Sequence, residues 1–574
     1  MTTGHIEVLV NDWQLLNSTD SPLPFYASQC FPDTPLPKDS LRARYRYLDL
    51  RRDALGDNIR RRSRIAHAAR CFLHDADFCE VETPILLRST PEGAREFLVP
   101  TRGAPHTLPT FYALQQSPQQ PKQLLMASGV TDRYFQFAKC FRDEDGRKDR
   151  QPEFTQIDLE MSFVSGSNPA ANTAWRIGGT EIRDVTEGMV RAMWHAAGLK
   201  HLQLPEKPFP TYSYAEVMQK YGSDKPDLRY GLQIADLCTA VQGDPQLALD
   251  ILVCPQYNQD KQQLKLSKRQ IDQLLVGKDG QPSTIEHFKA DRKDPASLAS
   301  LLTRKSSHLR HIQPDCHEKI DALSRALHSH LQNANLFSST KAIPALDRCD
   351  VFLARRVRDR NGGSTEMGDL RSRIAAALAQ QDSRVISPDP QILWVTEFPL
   401  FTQADEEKQQ AAHGRWTSSH HPFTAPALED VDRLQEALKM SKPSKQLIAS
   451  IRGQHYDLVL NGNEIAGGSV RVHDAALQEA IMRKILELSD DETHRFQHLL
   501  HALRCGAPPH AGIALGFDRF MAILCDTASI RDVIAFPKNA SGIDPLFASP
   551  AVIEESSAVT DHDQLAPYRL QRQN

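Results

Sequence analysis

YFQFAKCFRDEDGRKDRQPEFTQIDLEMSF, residues 134–163, holds two runs of strand-like alternation around a charged loop, Asp143 to Pro152. That pattern predicts a long antiparallel hairpin. Parity in its second strand puts Ile157, Leu159, Met161 and Phe163 on one face and Gln156, Asp158, Glu160 and Ser162 on the other, with Phe154 on the polar side. Arg142 shares its face with Cys140, Ala138 and Gln136, small or polar residues that leave room above the sheet. A guanidinium, an aromatic plate and several carboxylates over an open sheet suit a nucleotide: Arg142 for phosphate, Phe154 for stacking on a base, Glu144 for polar contacts. On parity alone, a surface hairpin with solvated charges carries equal weight.

The surrounding composition narrows the classes. At 574 residues the chain has room for two to four domains. Its hydrophobic content of 40% and charged content of 24% are those of an ordinary globular protein, and no apolar run approaches the ~20 residues that span a bilayer. Ten cysteines without a Cys-x-x-Cys signal neither a zinc ribbon nor a disulfide framework, which fits a reducing compartment. A net charge of −4 argues against a protein that grips nucleic acid with its whole surface. Charge is uneven, however: ten arginines and three acids lie between Arg42 and Arg70, a stripe suited to RNA phosphates, to a solvated helix face or to intersubunit contacts.

Four further stretches carry chemistry. A helical period with Ile65, Ala69, Phe72 and Leu73 on one face leads into a strand, Val81 to Leu86, whose Pro84 marks a sheet edge. Gln119 and Lys122 lie three apart and face one pocket if a helix starts at Pro118. In YDLVLNGNEIAGGSVRVHD the Asn461-Gly462 turn pairs Leu460 with Asn463 and Val459 with Glu464, which puts Asp457 on the face of Glu464. Two carboxylates so placed need a cation, and Mg²⁺ on ATP phosphates is the natural one. Gly467-Gly468 predicts a bulge that re-aims Arg471. GAPPHAGIALGFDRF reads as a strand, Ala511 to Leu515, a turn at Gly516 and a helix from Phe517, with Arg519 in the first turn among free amide N–H groups. His420 and His421 are adjacent, point apart and lack a partner cluster at metal-ligand spacing.

FRDE followed by RQPEFTQ resembles motif 2 of the class II aminoacyl-tRNA synthetases, specifically the aspartyl-tRNA synthetases of the bacterial and organellar type. The resemblance continues in order through PLPKDSLRARYRYLDLRR, TPEGAREF, QSPQ, SHHPFTAP, NGNEIAGGSVRVHD and GAPPHAGIALGFDRF, covering roughly residues 36–235 and 390–550. It implies an α+β fold: a mainly antiparallel catalytic sheet flanked by helices, an inserted α+β domain, and a remnant of an N-terminal OB barrel. On that basis residues 1–17 are the barrel remnant, one alternating strand; 18–38 a linker; 39–237 and 391–555 the two parts of the catalytic domain; 238–390 a degenerate insertion; and 556–574 a tail. The missing barrel strands and transit peptide point to a missing N-terminal segment, a misassigned start or lost anticodon reading. Residues 165–184 look like a loop insertion, followed by helix to about His201.

The resemblance also implies site roles. Arg142 and Arg519 are catalytic. ATP is bound by Arg142, Asp143, Glu144, Gln151, Phe154, Glu464, Gly516, Phe517, Asp518 and Arg519. Aspartate is bound by Glu92, Ser117, Gln119, Lys122, Arg142, His420 and Arg471. Asp457 and Glu464 hold Mg²⁺ with ATP, and Ala466, standing where the pattern has a first glycine, threatens to crowd the nucleotide. The implied substrates and partners are ATP, L-aspartate, tRNA(Asp) and a second copy of the chain across the Pro84 region, with no membrane. The implied compartment is the mitochondrial matrix, or alternatively the cytoplasm of a bacterium. Two rivals remain: a relaxed enzyme that also charges tRNA(Asn), and a non-catalytic RNA-binding descendant.

Overall fold

The computed structural model describes residues 7–26, 36–90, 95–102, 108–167, 174–199, 202–241, 244, 247–256, 264–277, 280–291, 295–309, 317–333, 348–358, 363–403, 415–551 and 566–570. The predicted hairpin forms the heart of the main sheet. Arg133–Phe141 (β2) and Glu153–Ser162 (β3) pair antiparallel, with Cys140 opposite Phe154 and Gln136 opposite Asp158. Eight strands make this sheet: Cys79–Glu80 (β1), β2, β3, Thr211–Ser213 (β4), Ile392–Thr396 (β5), His455–Leu460 (β6), Asn463–Val470 (β7) and His510–Gly516 (β8), in the spatial order β1-β2-β3-β8-β7-β6-β5-β4. The six central strands are mutually antiparallel, and only the edge pairs β1·β2 and β5·β4 are parallel.

One face of this sheet is apolar. Ile157, Leu159 and Met161 of β3, Leu458 and Leu460 of β6 and Ile513 and Leu515 of β8 bury against Asp53–Asp75 (α1), Thr180–Ala196 (α3) and Phe517–Leu524 (α4). Burying side chains of this size contributes roughly 1.5–3 kcal/mol each. The helical period read in α1 is the packing face: Ile65, Ala69 and Leu73 are buried, and Phe72 presses so close to α3 that a Cβ at Gly188 would lie 2.3 Å from its ring. The opposite face carries the polar residues of β3, β6 and β8, while Leu393, Val395 and Val459 on it bury against the helix Tyr214–Tyr221.

A second, four-stranded antiparallel sheet is built from Ile234–Asp236, Leu247–Pro255, Glu286–Asp291 and Arg348–Val357. It has apolar clusters on both faces, one of them packed on the helix Glu366–Ala379.

Several expectations are corrected. Residues 7–17 form no strand and expose Val8, Leu9, Val10 and Trp13; among the described residues no strand pairs with them. The strand expected from Val81 to Leu86 is two short pieces, Cys79–Glu80 and Leu86–Leu87, separated around Pro84, which has no N–H to donate. Phe163 leaves the apolar face: the strand ends at Ser162, and Phe163 turns into the left-handed region (φ +57°) and is exposed. Residues 174–184 are no surface loop. Trp175 stacks edge-on to Trp394 at 5.4 Å in the core, and helix α3 has already begun at Thr180, ending at Ala196.

The arginine stripe is largely internal. Arg42, Arg46 and Arg52 converge on the buried Asp49 at 2.7–3.0 Å. Arg46 also donates to the carbonyls of Arg531, Ile534 and Ala535, and Arg61 to that of Leu524. Only Arg44, Arg51, Arg60 and Arg64 of the ten are exposed to solvent.

Candidate active site

The polar face of β3, β8, β7 and β6 floors a cavity of about 1220 Å³. Its construction is legible strand by strand. Asp158 and Glu160 project from β3, and β8 makes room for them with Gly512, where a Cβ would lie 1.7 Å from Glu160 Oε2. Helix Gln119–Ser128 (α2) has Pro118 at its N-cap and lays Gln119 and Lys122 over them.

The floor is a closed set of two cations and two carboxylates. Lys122 Nζ lies 3.0 Å from Asp158 Oδ1 and 3.3 Å from Glu160 Oε2. Arg471 donates from Nε and Nη2 to the two oxygens of Glu160 at 3.0 and 3.2 Å, and from Nη1 to Ser469 Oγ at 2.7 Å. Burial works to raise both carboxyls. Arg471 and Lys122 outweigh it at Glu160, which is lowered, whereas at Asp158 burial prevails over Lys122 and the group is raised. Asp158 lines the cavity, and its Oδ2 is buried without a hydrogen-bond partner.

A second acidic pair sits on β6 and β7. The Asn461-Gly462 hairpin has the expected register, Val459 opposite Glu464 and Leu460 opposite Asn463. The bulge lies elsewhere than expected: β7 carries one extra residue at Ile465, between the pairs Val459–Glu464 and Leu458–Ala466, while Gly467 and Gly468 keep regular register with both neighbours. The bulge still leaves Asp457 and Glu464 together: a Cβ at Gly467 would lie 3.0 Å from Asp457 Oδ1 and 3.4 Å from Glu464 Oε1. Ala466 belongs to the core cluster with its register partners Leu458 and Leu515, and it also lines the cavity. Of the two paired glycines, Gly467 faces the carboxylates, while a Cβ at Gly468 would lie 2.2 Å from the Gly512 carbonyl oxygen.

The charges around this pair are uneven. Burial and the neighbouring Glu464 carboxylate push Asp457 well above the usual carboxylate range, and Asp457 Oδ1 has no hydrogen-bond partner. Lys225 Nζ lies 2.6 Å from Glu464 Oε2; it overcomes the effect of burial on Glu464 and holds that group low. His420 Nε2 stands 3.6 Å from Asp457 Oδ2, its ring 4.7 Å from that of His455. His455 is buried with neither ring nitrogen hydrogen-bonded, and burial, with His420 and Arg471 nearby, keeps it neutral by driving its pKa well down.

At the open end, the Arg142 guanidinium lies 5.1 Å from the centre of the Phe154 ring, and both line the cavity. Glu144 pairs with Arg150 at 2.8 Å. Arg519, in the first turn of α4, donates to the Glu464 carbonyl at 2.6 Å and leaves Nη2 3.6 Å from Asp149 Oδ2. Ser117, Gly516 and His421 also line the cavity.

Four expected nucleotide contacts lie outside the cavity lining or are engaged with the protein itself. Phe517 is a core residue, packed edge-on to Phe137 at 5.5 Å. Asp518 touches the cavity wall; its Oδ2 accepts from the Thr155 amide at 2.8 Å, and its Oδ1 is ion-paired with Arg62 at 2.6 Å without a hydrogen bond. Asp143 lies outside the cavity lining, beside Arg95. Gln151 lines the wall, yet both ends of its amide bond the backbone of Lys538. Glu92 falls outside the described residues. The residues that the sequence reading left without a role are Asp158, Glu160 and Lys225. Parity had placed the first two on the correct face, and their buried position beside two cations is the missing signal.

A family model described as tRNA synthetases class II (D, K and N) matches residues 38–540, which contain every strand of the main sheet and all of this cavity. The chain belongs to this family. The synthetase is 41% identical to a protein named mitochondrial aspartate–tRNA ligase from Dictyostelium discoideum, over 97% of this chain and 73% of the relative. It is 37% identical to a protein of the same name from Schizosaccharomyces pombe, over 100% of this chain and 82% of the relative. A Bifidobacterium longum protein named aspartate–tRNA(Asp/Asn) ligase is 36% identical, over 98% of this chain and 84% of the relative. No helix of the synthetase, among the described residues, is long and apolar enough to cross a membrane.

Proposed function

We propose that this synthetase activates L-aspartate with ATP and transfers the aspartyl group to tRNA(Asp) in mitochondrial translation. The observation that carries the reading is the buried floor of Lys122, Arg471, Asp158 and Glu160, open to the same cavity as Arg142 and Arg519. With Asp158 and Glu160 both served, Lys122 keeps one N–H, and Arg471 keeps two, enough to receive a carboxylate. Asp158 Oδ2, a buried acceptor lacking a partner, suits an ammonium group. An amino acid with an acidic side chain meets both requirements, and asparagine presents NH₂ where an acceptor is needed.

In the first step the α-carboxylate attacks the α-phosphorus in line, forming the mixed anhydride as the bond to pyrophosphate breaks. In the second, the terminal ribose hydroxyl of the tRNA takes the aspartyl group and AMP leaves. No protein nucleophile is needed, so catalysis is placement and charge neutralisation. Arg142 lies against the α-phosphate and orients the attacking carboxylate, Phe154 stacks on adenine, and Arg519 holds the departing pyrophosphate. Asp457 and Glu464 fit Mg²⁺, as a hard-oxygen pair with one orphaned oxygen. The bound ion supplies charge neutralisation on the phosphates.

The exposed Ile85 and Leu86 beside Pro84 suit a homodimer contact, which light scattering tests. Aspartate-dependent exchange of pyrophosphate into ATP tests the activity: Arg519→Ala is expected to lower it at least ~100-fold, and near-normal exchange in that variant would contradict the assignment. The Bifidobacterium longum relative's Asp/Asn name favours a second reading, in which tRNA(Asn) is also charged; parallel charging of both tRNAs decides it. Imaging of the native product tests the compartment, and a purely cytosolic signal defeats it.

A further inference from the structure

Glu464 already has a cation. Lys225 arrives from a strap, residues 222–232, that leads from the catalytic sheet into the second sheet, and Ser223, Asp224 and Lys225 all line the cavity. The strap is fixed on both sides. Thr365 N donates to Gly222 O at 2.8 Å, Gly363 N to Asp224 Oδ2 at 3.1 Å, and a Cβ at Gly368 would lie 2.0 Å from Gly222 O. The buried Arg371 donates to the carbonyls of Asp227, Tyr230, Gly231 and Leu232. On the other side, Gly462 sits against Asp227, with room for no Cβ (2.9 Å). The backbone that carries Lys225 is therefore held in place, and the four-carbon side chain, 40% exposed, is the part free to swing.

We propose that Lys225 occupies the cation position beside Asp457 and Glu464 in the ligand-free protein, and that a divalent ion enters only together with nucleotide phosphates, which draw the ammonium off Glu464. The inference rests on the reading that these two carboxylates hold the ion. With Lys225 on Glu464, a bare divalent ion meets one engaged carboxylate and a positive charge 2.6 Å from it. A metal–nucleotide complex brings four phosphate charges that can receive the displaced ammonium, so the exchange keeps every charge paired. Lys225 thus makes the site selective for metal on nucleotide over free metal, and joins the second sheet to nucleotide arrival.

The test uses Mn²⁺ as probe, its free ion read by electron paramagnetic resonance, on the full chain with and without a non-hydrolysable ATP analogue. Lys225→Met is expected to bind bare Mn²⁺ at least ~10-fold more tightly than the native protein. Adding Asp457→Asn should remove the gain, and with the analogue present the native protein and Lys225→Met should converge. Lys225→Gln serves as the second variant, and thermal unfolding confirms that each is folded. Equal bare-Mn²⁺ affinity in native and Lys225 variants, while analogue-bound Mn²⁺ remains sensitive to Asp457→Asn, overturns the role of Lys225 alone. Analogue-bound Mn²⁺ indifferent to Asp457→Asn overturns both this inference and the metal reading beneath it.

Discussion

Removing Lys122 should damage the ligand-free protein before any substrate is added. Its ammonium is 3.0 Å from Asp158 Oδ1, a separation worth ~5–6 kcal/mol at an effective dielectric of about 20. Desolvation of two fully buried groups consumes much of that, so the pair's net worth is small; breaking it is another matter, because Asp158 then keeps a buried charge with no partner. Lys122→Met should cost about 3–5 kcal/mol, and the isolated Asp158, already raised by burial, should take up a proton. Lys122→Met with Asp158→Asn should recover about half of the loss, since the stranded charge is gone. Urea denaturation of the native protein, both single variants and the double gives the coupling, expected at ~2 kcal/mol or more. A coupling below ~0.5 kcal/mol would show that the floor is not held as a charged set.

Gly467→Ala should leave the fold intact at an overpacking cost of ~1–3 kcal/mol, yet pyrophosphate exchange should fall at least ~10-fold, because the methyl would press on Asp457 at 3.0 Å; Ala466→Gly, by contrast, should not improve ATP affinity. Asp457→Asn should raise the melting temperature at neutral pH while lowering nucleotide-dependent metal binding, since it removes a buried carboxylate whose ionisation opposes folding; an unchanged or lower melting temperature would contradict the strained pair. The Arg415 hydrogen bonds hold Glu492 down to about 2, below its ordinary 4.5, so this pair stabilises the fold above pH 4.5 and the contribution is lost as pH falls towards 2. Arg415→Ala should flatten that part of the acid-unfolding profile, as followed by circular dichroism.

The hairpin was legible because the two faces of β3 differ in polarity, Ile157, Leu159 and Met161 against Gln156, Asp158 and Glu160, even though both faces are largely buried. The Asn461-Gly462 register was legible because the turn has few backbone solutions. The bulge at Ile465 was not, and the paired glycines that suggested a bulge serve close approach instead, Gly468 to the Gly512 carbonyl and Gly467 to Asp457. The arginine stripe misled because sequence shows charge without direction, and Asp49, placed among those arginines, folds three of them inward. Lys225 was invisible for a similar reason. Nothing local marks it, and its partner is 239 positions away.

That interleaving has a consequence for the ribosome. β3 has β2 and Lys122 available as soon as it emerges, but its other neighbour β8 and the guanidinium for Glu160 lie far downstream, Arg471 being 311 positions later. At about 5–20 residues per second the wait is roughly 15–60 s. During it the growing chain displays an unpaired strand edge and a carboxylate pair with half of its counter-charge, while the second sheet can close upon itself. The catalytic sheet should therefore close late, after the second sheet, and a chaperone that shields the β3 edge until β8 is released should raise the yield more than one that acts on the second sheet.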